Sequence, residues 1–317
     1  MERRANSWDE AGAVEALRPL LFSIAYRMLA SVGEAEDAVQ EAFIRYEAVR
    51  REGVSVDSPK AYMSAVVTRL SIDRLRSARS RRETYVGEWL PEPVVADEQA
   101  VDPAAQVETA ESLAMAFLLV LDRLNPVERA VFLLHDVFDF EYREIAPIVG
   151  KTEANSRQIA VRARRRVHAE RPRLDPPGPR QRELASRFFS AVTAGDLEGL
   201  VSMLASDVVV YGDGGGKAPQ WSVPIVGIDH VARLLIGLGR QMGEFGLRAE
   251  MRTINGQPGA VVRDSRGRLT NVFVLDIVDG HVAAVRSVIN PDKLRHLGVV
   301  ADVRAIAAER TGSPEPT

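Results

Sequence analysis

Apolar positions recur with a helical period through the first 170 residues and give way to short alternating runs after Arg180. Val14, Leu17, Leu20, Leu21, Ile24 and Ala25 form one stripe and predict a helix over Val14 to Tyr26. Ser31-Val-Gly-Glu34 has the form of a capping box, opening a second helix through Tyr46. Ser58-Pro59 supplies a cap and a first-turn proline for a third, running to about Ser77, and this helical unit spans residues 10–82. A second unit over 110–171 starts with an apolar-rich helix, Ala110 to Leu124. Asn125-Pro126-Val-Glu128 caps the next helix, and Tyr142 to Val149 and Thr152 to His168 follow, joined at Gly150. A helix, a glycine turn and an arginine-rich helix predict a helix-turn-helix, with Pro147 as a local conflict that bends its first member.

The two units are separated by a tether over 83–109. Between Glu83 and Asp122 there is no Lys or Arg, while Glu88, Glu92, Asp97, Glu98, Asp102, Glu108 and Glu111 accumulate, a composition for an extended acidic segment. Its apolar members Trp89, Leu90, Val94 and Val95 predict that part of it docks. Four prolines between Arg171 and Pro179 mark a second linker over 172–180. Beyond it, a helix carrying Leu184, Phe188 and Phe189 leads through Gly195-Asp196 into a second helix ending at Ala205. Strands are predicted at 207–211, 247–254, 259–263, 269–278 and 281–289, with turns at Asn255-Gly256, Arg266-Gly267 and Asp279-Gly280. The fold class is therefore multidomain: two all-α units, then an α+β domain over 181–295 with two early helices against an antiparallel sheet. A tail over 296–317 is expected to be separable, with Val299 to Glu309 as one amphipathic helix and 311–317 disordered.

Composition narrows the function. The chain has 317 residues, of which 46% are hydrophobic and 27% charged, which suits a globular protein. It has no cysteine, which excludes disulfides, thiol nucleophiles and Cys-ligated metal centres. No apolar stretch suggests a leader or a membrane span, so a cytoplasmic location without membrane contact is expected. The 41 Lys and Arg against 44 Asp and Glu give a formal charge of −3, but the cations are clustered. One cluster is Arg69, Arg74, Arg76, Arg79, Arg81 and Arg82, with only Asp73 among them. The other is Arg157, Arg162, Arg164, Arg165, Arg166, Arg171 and Arg173, with only Glu170. Guanidinium groups neutralise phosphates and read guanine bidentately, so two such clusters, one on a recognition helix, indicate DNA. Ser156, Arg157, Gln158, Arg162 and Arg165 lie where side chains of this motif reach base edges.

The run from Phe140 through Val167 resembles the −35 helix-turn-helix of extracytoplasmic-function sigma factors. Ala35-Glu-Asp-Ala-Val-Gln-Glu-Ala-Phe43 is similar to the helix by which those factors grip the RNA polymerase clamp, and Ser58 to Ser77 looks like their −10 helix. The resemblance implies that Asp37, Gln40, Glu41 and Phe43 face the β′ clamp, with the second unit at the β flap. It further implies that Arg69, Asp73, Arg74, Arg76, Arg79, Arg81 and Arg82 hold the melted −10 strand. Tyr62 and Tyr85 are candidates to stack on unpaired bases, with packing as their alternative role. Pro147 and Ile159 stand where members usually carry polar residues, so no promoter sequence carries over.

The last domain resembles the SnoaL-like, nuclear-transport-factor-like cone, which encloses a pocket suited to a small-molecule ligand and occurs in enzymes and binding modules alike. Three motifs look like signatures of the sigma subgroup with such a fused domain, the SigJ type. They are Trp89-Leu90-Pro91-Glu92-Pro93, Asp213-Gly214-Gly215-Gly216-Lys217 and Asn290-Pro291-Asp292-Lys293-Leu294. The implied function is an alternative sigma factor whose C-terminal domain tunes it in cis through these segments, with core polymerase and promoter DNA as partners and no cofactor, metal or catalysis of its own. Two other readings stay open. One is a polymerase-independent helix-turn-helix regulator; the other is a SnoaL-like enzyme with Asp213, His230 or Asp276 as its base.

Overall fold

A computed structural model describes residues 12–82, 85–96, 112–170 and 173–306, with the side chains of 78–82 outside that set. It divides into two compact units, residues 1–81 with 118–171 and residues 82–117 with 172–317.

The helices of the first unit are α1 (Arg18–Leu29), α2 (Val32–Arg51), α3 (Pro59–Arg82), α4 (Met115–Asp122, whose first residues belong to the second unit), α5 (Pro126–Asp136), α6 (Tyr142–Val149) and α7 (Glu153–Glu170). Their ends follow the expected chemistry. Ser31 accepts from Glu34 N at 3.2 Å, and Asn125 with Glu128 completes a reciprocal box at the start of α5. Gly150 closes α6 in the left-handed conformation, φ 66°, and Pro147 lies inside that helix without ending it. Leu21, Ile24 and Met28 of α1 are fully buried, each burial stabilising by about 1.5–3 kcal/mol. The two helical modules form one body. Arg129 of α5 is buried and donates to Met28 O at 2.6 Å and to Asp122 Oδ1 at 2.7 Å. Arg27 of α1 lies 5.5 Å from the Phe138 ring, and burial lowers its pKa to about 10, against a smaller opposing effect of Tyr26.

The second unit contains α8 (Pro179–Ala194), α9 (Leu197–Met203), β1 (Leu204–Asp213), β2 (Ile225–Val226), α10 (Ile228–Glu244), β3 (Arg248–Ile254), β4 (Gln257–Arg263), β5 (Leu269–Val278), β6 (His281–Val288) and α11 (Pro291–Leu294). The sheet order is β2-β1-β6-β5-β4-β3. Phe273, Leu275 and Ile277 of β5 face Phe188, Val231 and Leu235 of the helices in one core. The Asn255-Gly256 and Asp279-Gly280 turns form with positive φ at both residues and close two-residue hairpins, as expected.

Three expectations need correction. A third helix, α10, packs on the sheet; its Gly237, Gly239 and Gly243 weaken the helical signal. The sheet is mixed, because β1 pairs with β6 in parallel. Within the proline-rich linker, Asp175 accepts from Asp279 N and Gly280 N, each at 2.9 Å. The tail is not one helix from Val299: Val300 bridges Leu269, Ala301 N donates to Leu269 O at 2.8 Å, and helix begins only at 303. The expected disorder of 311–317 lies outside the described residues.

Candidate nucleic-acid interface and tether cluster

The recognition helix α7 buries Ser156, Ile159, Ala160, Ala163 and Val167 along one stripe. Of the residues predicted to read bases, Arg157, Gln158, Arg162 and Arg165 are exposed. Ser156 is not: it is fully buried, and its hydroxyl donates to Thr152 O at 3.0 Å, so the inner face of the helix holds it away from any groove. Arg157 is held sideways by Glu153 and lies 5.6 Å from the Tyr142 ring. Arg164 pairs with Asp136 at 2.6 Å and Arg166 with Glu128 at 2.7 Å, so these two brace the module. The hydrogen bond to Asp136 raises the Arg164 pKa against partial desolvation.

On α2 the buried residues are Ala35, Ala38, Val39, Ala42 and Tyr46. Asp37 and Gln40 are exposed on the opposite side, with Glu41 half-buried and paired to Arg45 at 2.7 Å. Phe43 is likewise half-buried, with the Arg18 guanidinium 4.7 Å above its ring. The outward aliphatic is Ile44, 55% exposed, a residue absent from the sequence-based candidates.

On α3, Arg69 donates to Pro147 O at 2.8 Å and to Ile148 O at 3.2 Å, capping the last carbonyls of α6. Arg74 donates to Glu34 O, and Arg76 pairs with Asp73 at 3.3 Å. The side chains of Arg79, Arg81 and Arg82 lie outside the described residues. Tyr62 packs on Tyr46, ring centroids 6.1 Å apart. Beside it, a groove of about 670 Å³ is lined by Tyr46, Arg50, Val54, Asp57, Ser58 and Lys60, none of them a candidate site residue from the sequence.

The three signature motifs meet within the second unit. Asp213, fully buried at the end of β1, accepts from Tyr85 Oη at 2.5 Å, Leu90 N at 2.8 Å and Lys293 Nζ at 2.6 Å. Lys293 also donates to Leu90 O and lies 4.3 Å from the Trp89 ring, so one acid and one base hold both polar atoms of the Leu90 backbone. Asn290 caps α11 by accepting from Asp292 N and donates to Tyr85 Oη at 2.8 Å. The glycines are required by space. A Cβ on Gly215, at φ 56°, would lie 2.2 Å from Asn290 Nδ2, and Gly216, at φ 69°, packs against Val86. Lys217 pairs with Asp292, and Arg304 reaches Gly216 O at 3.4 Å. The tether continues as a partial strand, with Val95 bridging Ile254, Asn255 Oδ1 accepting from Val94 N at 2.9 Å, and Pro93 O within 2.7 Å of His296 Nε2. Burial first, then the Asp213 hydrogen bond and charge, raise the Tyr85 pKa well above the ordinary phenol value, keeping it a donor. Tyr85 is thus committed to this cluster, not to a base stack.

None of the three candidate bases lines the cavity between α8, α10 and the sheet. That space, about 20 Å³, is walled by apolar side chains including Phe188, Phe189, Leu235, Met242 and Phe273. Asp213 belongs to the tether cluster. Asp276 alternates with Leu275 and Ile277 and pairs with Arg286 at 2.7 Å, and His230 is exposed on the first turn of α10. Among the described residues there is no cluster of potential metal ligands, and no helix is long and apolar enough to cross a membrane.

Residues 13–81 match Sigma-70 region 2 and residues 114–167 match Sigma-70, region 4. The chain is 40% identical over 293 residues to the ECF RNA polymerase sigma factor SigJ of Mycobacterium tuberculosis, spanning 90% of this chain and 93% of that protein. It is 30% identical over 286 residues to the probable ECF RNA polymerase sigma factor SigI of the same species, spanning 90% and 94%. The crystal structure of M. tuberculosis SigJ superposes with a TM-score of 0.71 at 36% identity, covering 90% of this chain and 98% of that one. With both sigma modules present in order and relatives matched nearly end to end, the chain belongs to the family of extracytoplasmic-function RNA polymerase sigma factors.

Proposed function

We propose a division of labour in which this sigma factor touches core polymerase, promoter and its own tether through separate sets of residues. Asp37, Gln40, Glu41 and Ile44 present one outward stripe of α2 to the β′ clamp, while the second module sits at the β flap. The groove beside Tyr46 and Lys60 receives a base of the melted −10 strand, with Arg76 and the arginines at the end of α3 following the phosphates. Arg157, Gln158, Arg162 and Arg165 of α7 enter the −35 duplex. Modulation in cis acts through the tether: whatever draws Trp89 to Pro93 away must replace the pairing that Asp213 and Lys293 give the Leu90 backbone. That double hold on Leu90 is the observation that carries the reading. The walls of the cone cavity suit an uncharged apolar ligand, and its present volume is about that of one water, so such a ligand enters only if α10 moves outward.

Run-off transcription with bacterial core polymerase, on the promoter upstream of the chain's own gene, tests both halves. The full chain is expected to give a specific transcript, and Lys293→Met to change its yield while still binding core. Failure of the full chain to bind core would overturn the sigma assignment; an unchanged yield for the variant would overturn modulation through the tether.

A further inference from the structure

The outward face of α7 carries an apolar residue where charge and amide chemistry dominate. Opposite the buried stripe, Ala154, Gln158, Val161 and Arg165 follow one another at helical spacing, flanked by Arg157 and Arg162. Val161 is 46% exposed at the centre of this stripe. A valine side chain has no polar atom, so it pairs with neither phosphate nor amide edge, and on a solvated face it loses the burial a valine usually has. The major groove offers one apolar feature to such a group, the C5-methyl of thymine. Gln158 and Val161 lie about 4.5 Å apart along the helix axis, the scale of one base-pair step, so an amide on adenine and an isopropyl group on a neighbouring thymine are sterically compatible.

We propose that Val161 is a specificity-determining residue that reads a thymine methyl within the −35 element. The proposal rests on the assignment of α7 to that duplex. Gln158 reads the adjacent base, and Arg162 and Arg165, which have no ion-pair partner among the described residues, supply phosphate or guanine contacts on either side. Replacing valine by alanine removes the methyls that make the contact, yet favours the helix, so the variant folds.

The test uses holoenzyme reconstituted from core polymerase and the full chain. Promoter fragments randomised across the upstream element are selected for binding, and each thymine of the winning sequence is replaced singly by deoxyuridine. At one position the wild-type holoenzyme is expected to bind about fourfold more weakly without the methyl, whereas Val161→Ala holoenzyme is indifferent to it. If a preferred sequence emerges but no thymine methyl matters, or its loss affects both proteins equally, the role of Val161 is overturned while the −35 assignment stands. If selection yields no upstream preference, the assignment of α7 fails and the proposal fails with it.

Discussion

In the unit built from residues 1–81 and 118–171, ion pairs such as Arg157–Glu153 and Arg76–Asp73 have both side chains more than 40% exposed. In the C-terminal unit, Asp213–Lys293 and Asp276–Arg286 have all four side chains no more than 8% exposed. Exposed pairs are worth about 0–1 kcal/mol and dissolve readily when phosphate competes. Buried pairs add little net stability, but removing one partner strands a charge and costs about 3–5 kcal/mol. The exposed pairs of the first unit can therefore exchange partners at little cost, whereas those of the tether cluster cannot. A buried arginine also occurs in the first unit, but Arg129 is bound to Met28 O and Asp122 and braces the body of that unit.

Breaking the buried side should give the largest effect. Asp213→Ala leaves Lys293, the Leu90 amide and the Tyr85 hydroxyl without their common acceptor, and is expected to destabilise the C-terminal unit by about 3–5 kcal/mol in urea unfolding of the full chain. An effect below about 1 kcal/mol would place this pair with the exposed ones. Tyr85→Phe should cost about 1–3 kcal/mol, as a hydrogen bond to a charged acceptor is lost. It also carries a pH signature. The folded Tyr85 pKa is raised, so its contribution is complete below the unfolded value of about 10 and declines as pH rises above it, because only the unfolded phenol ionises there. Wild type should therefore lose more stability than Tyr85→Phe between pH 8 and pH 10.5, and equal losses would refute this account of Tyr85.

Two changes on the exposed side should be milder. Arg69→Ala removes the cap on the Pro147 and Ile148 carbonyls and is expected to weaken the union of the two helical modules by about 1 kcal/mol. Faster hydrogen exchange at the end of α6, with the core of α1 unaffected, is the expected result. Because Arg69 is bonded to α6 here and is also expected at the −10 strand, promoter opening would require it to change partners. Arg165→Ala should leave stability within about 0.5 kcal/mol and lower the slope of log affinity against log salt by about 1, measured on promoter duplex with holoenzyme. An unchanged slope would remove Arg165 from the phosphate-contacting set.

Much of this was legible in the sequence because local chemistry and global fold agree there. The Asn125-Pro126 cap, the Asn-Gly and Asp-Gly hairpins and the docking of Trp89 and Leu90 follow from residue type and spacing alone. Helix α10 was hidden because its glycines each disfavour helix by about 1 kcal/mol, although Gly239 is required where a Cβ would strike Val192 O at 2.0 Å. The parallel pairing of β1 with β6 leaves no mark on periodicity. Interface residues were the least legible, because the composition of a segment does not reveal which face of its helix a residue occupies. Ser156 is read as a contact yet is buried on the inner face of α7, while Ile44 and Val161, to which the sequence drew no attention, are exposed.

A pair of neighbours on α7 separates the inner face of that helix from its outer one. Ser156 and Gln158 are two residues apart on α7, so about 200° separates them around the axis, and only Gln158 faces outward. Ser156→Ala removes a hydroxyl already bonded to Thr152 O within the helix; it should shift stability by no more than about 1 kcal/mol and leave the −35 preference of the holoenzyme unchanged. Gln158→Ala should do the reverse, leaving stability within about 0.5 kcal/mol and relaxing the preference at one base pair by about 1–3 kcal/mol, the discrimination a bidentate amide provides. Selection from the same randomised promoter pool with each variant reads both effects. Should Ser156→Ala relax the preference instead, α7 would have to present a different face to DNA, and Gln158, Val161 and Arg165 would lose their places in the groove together.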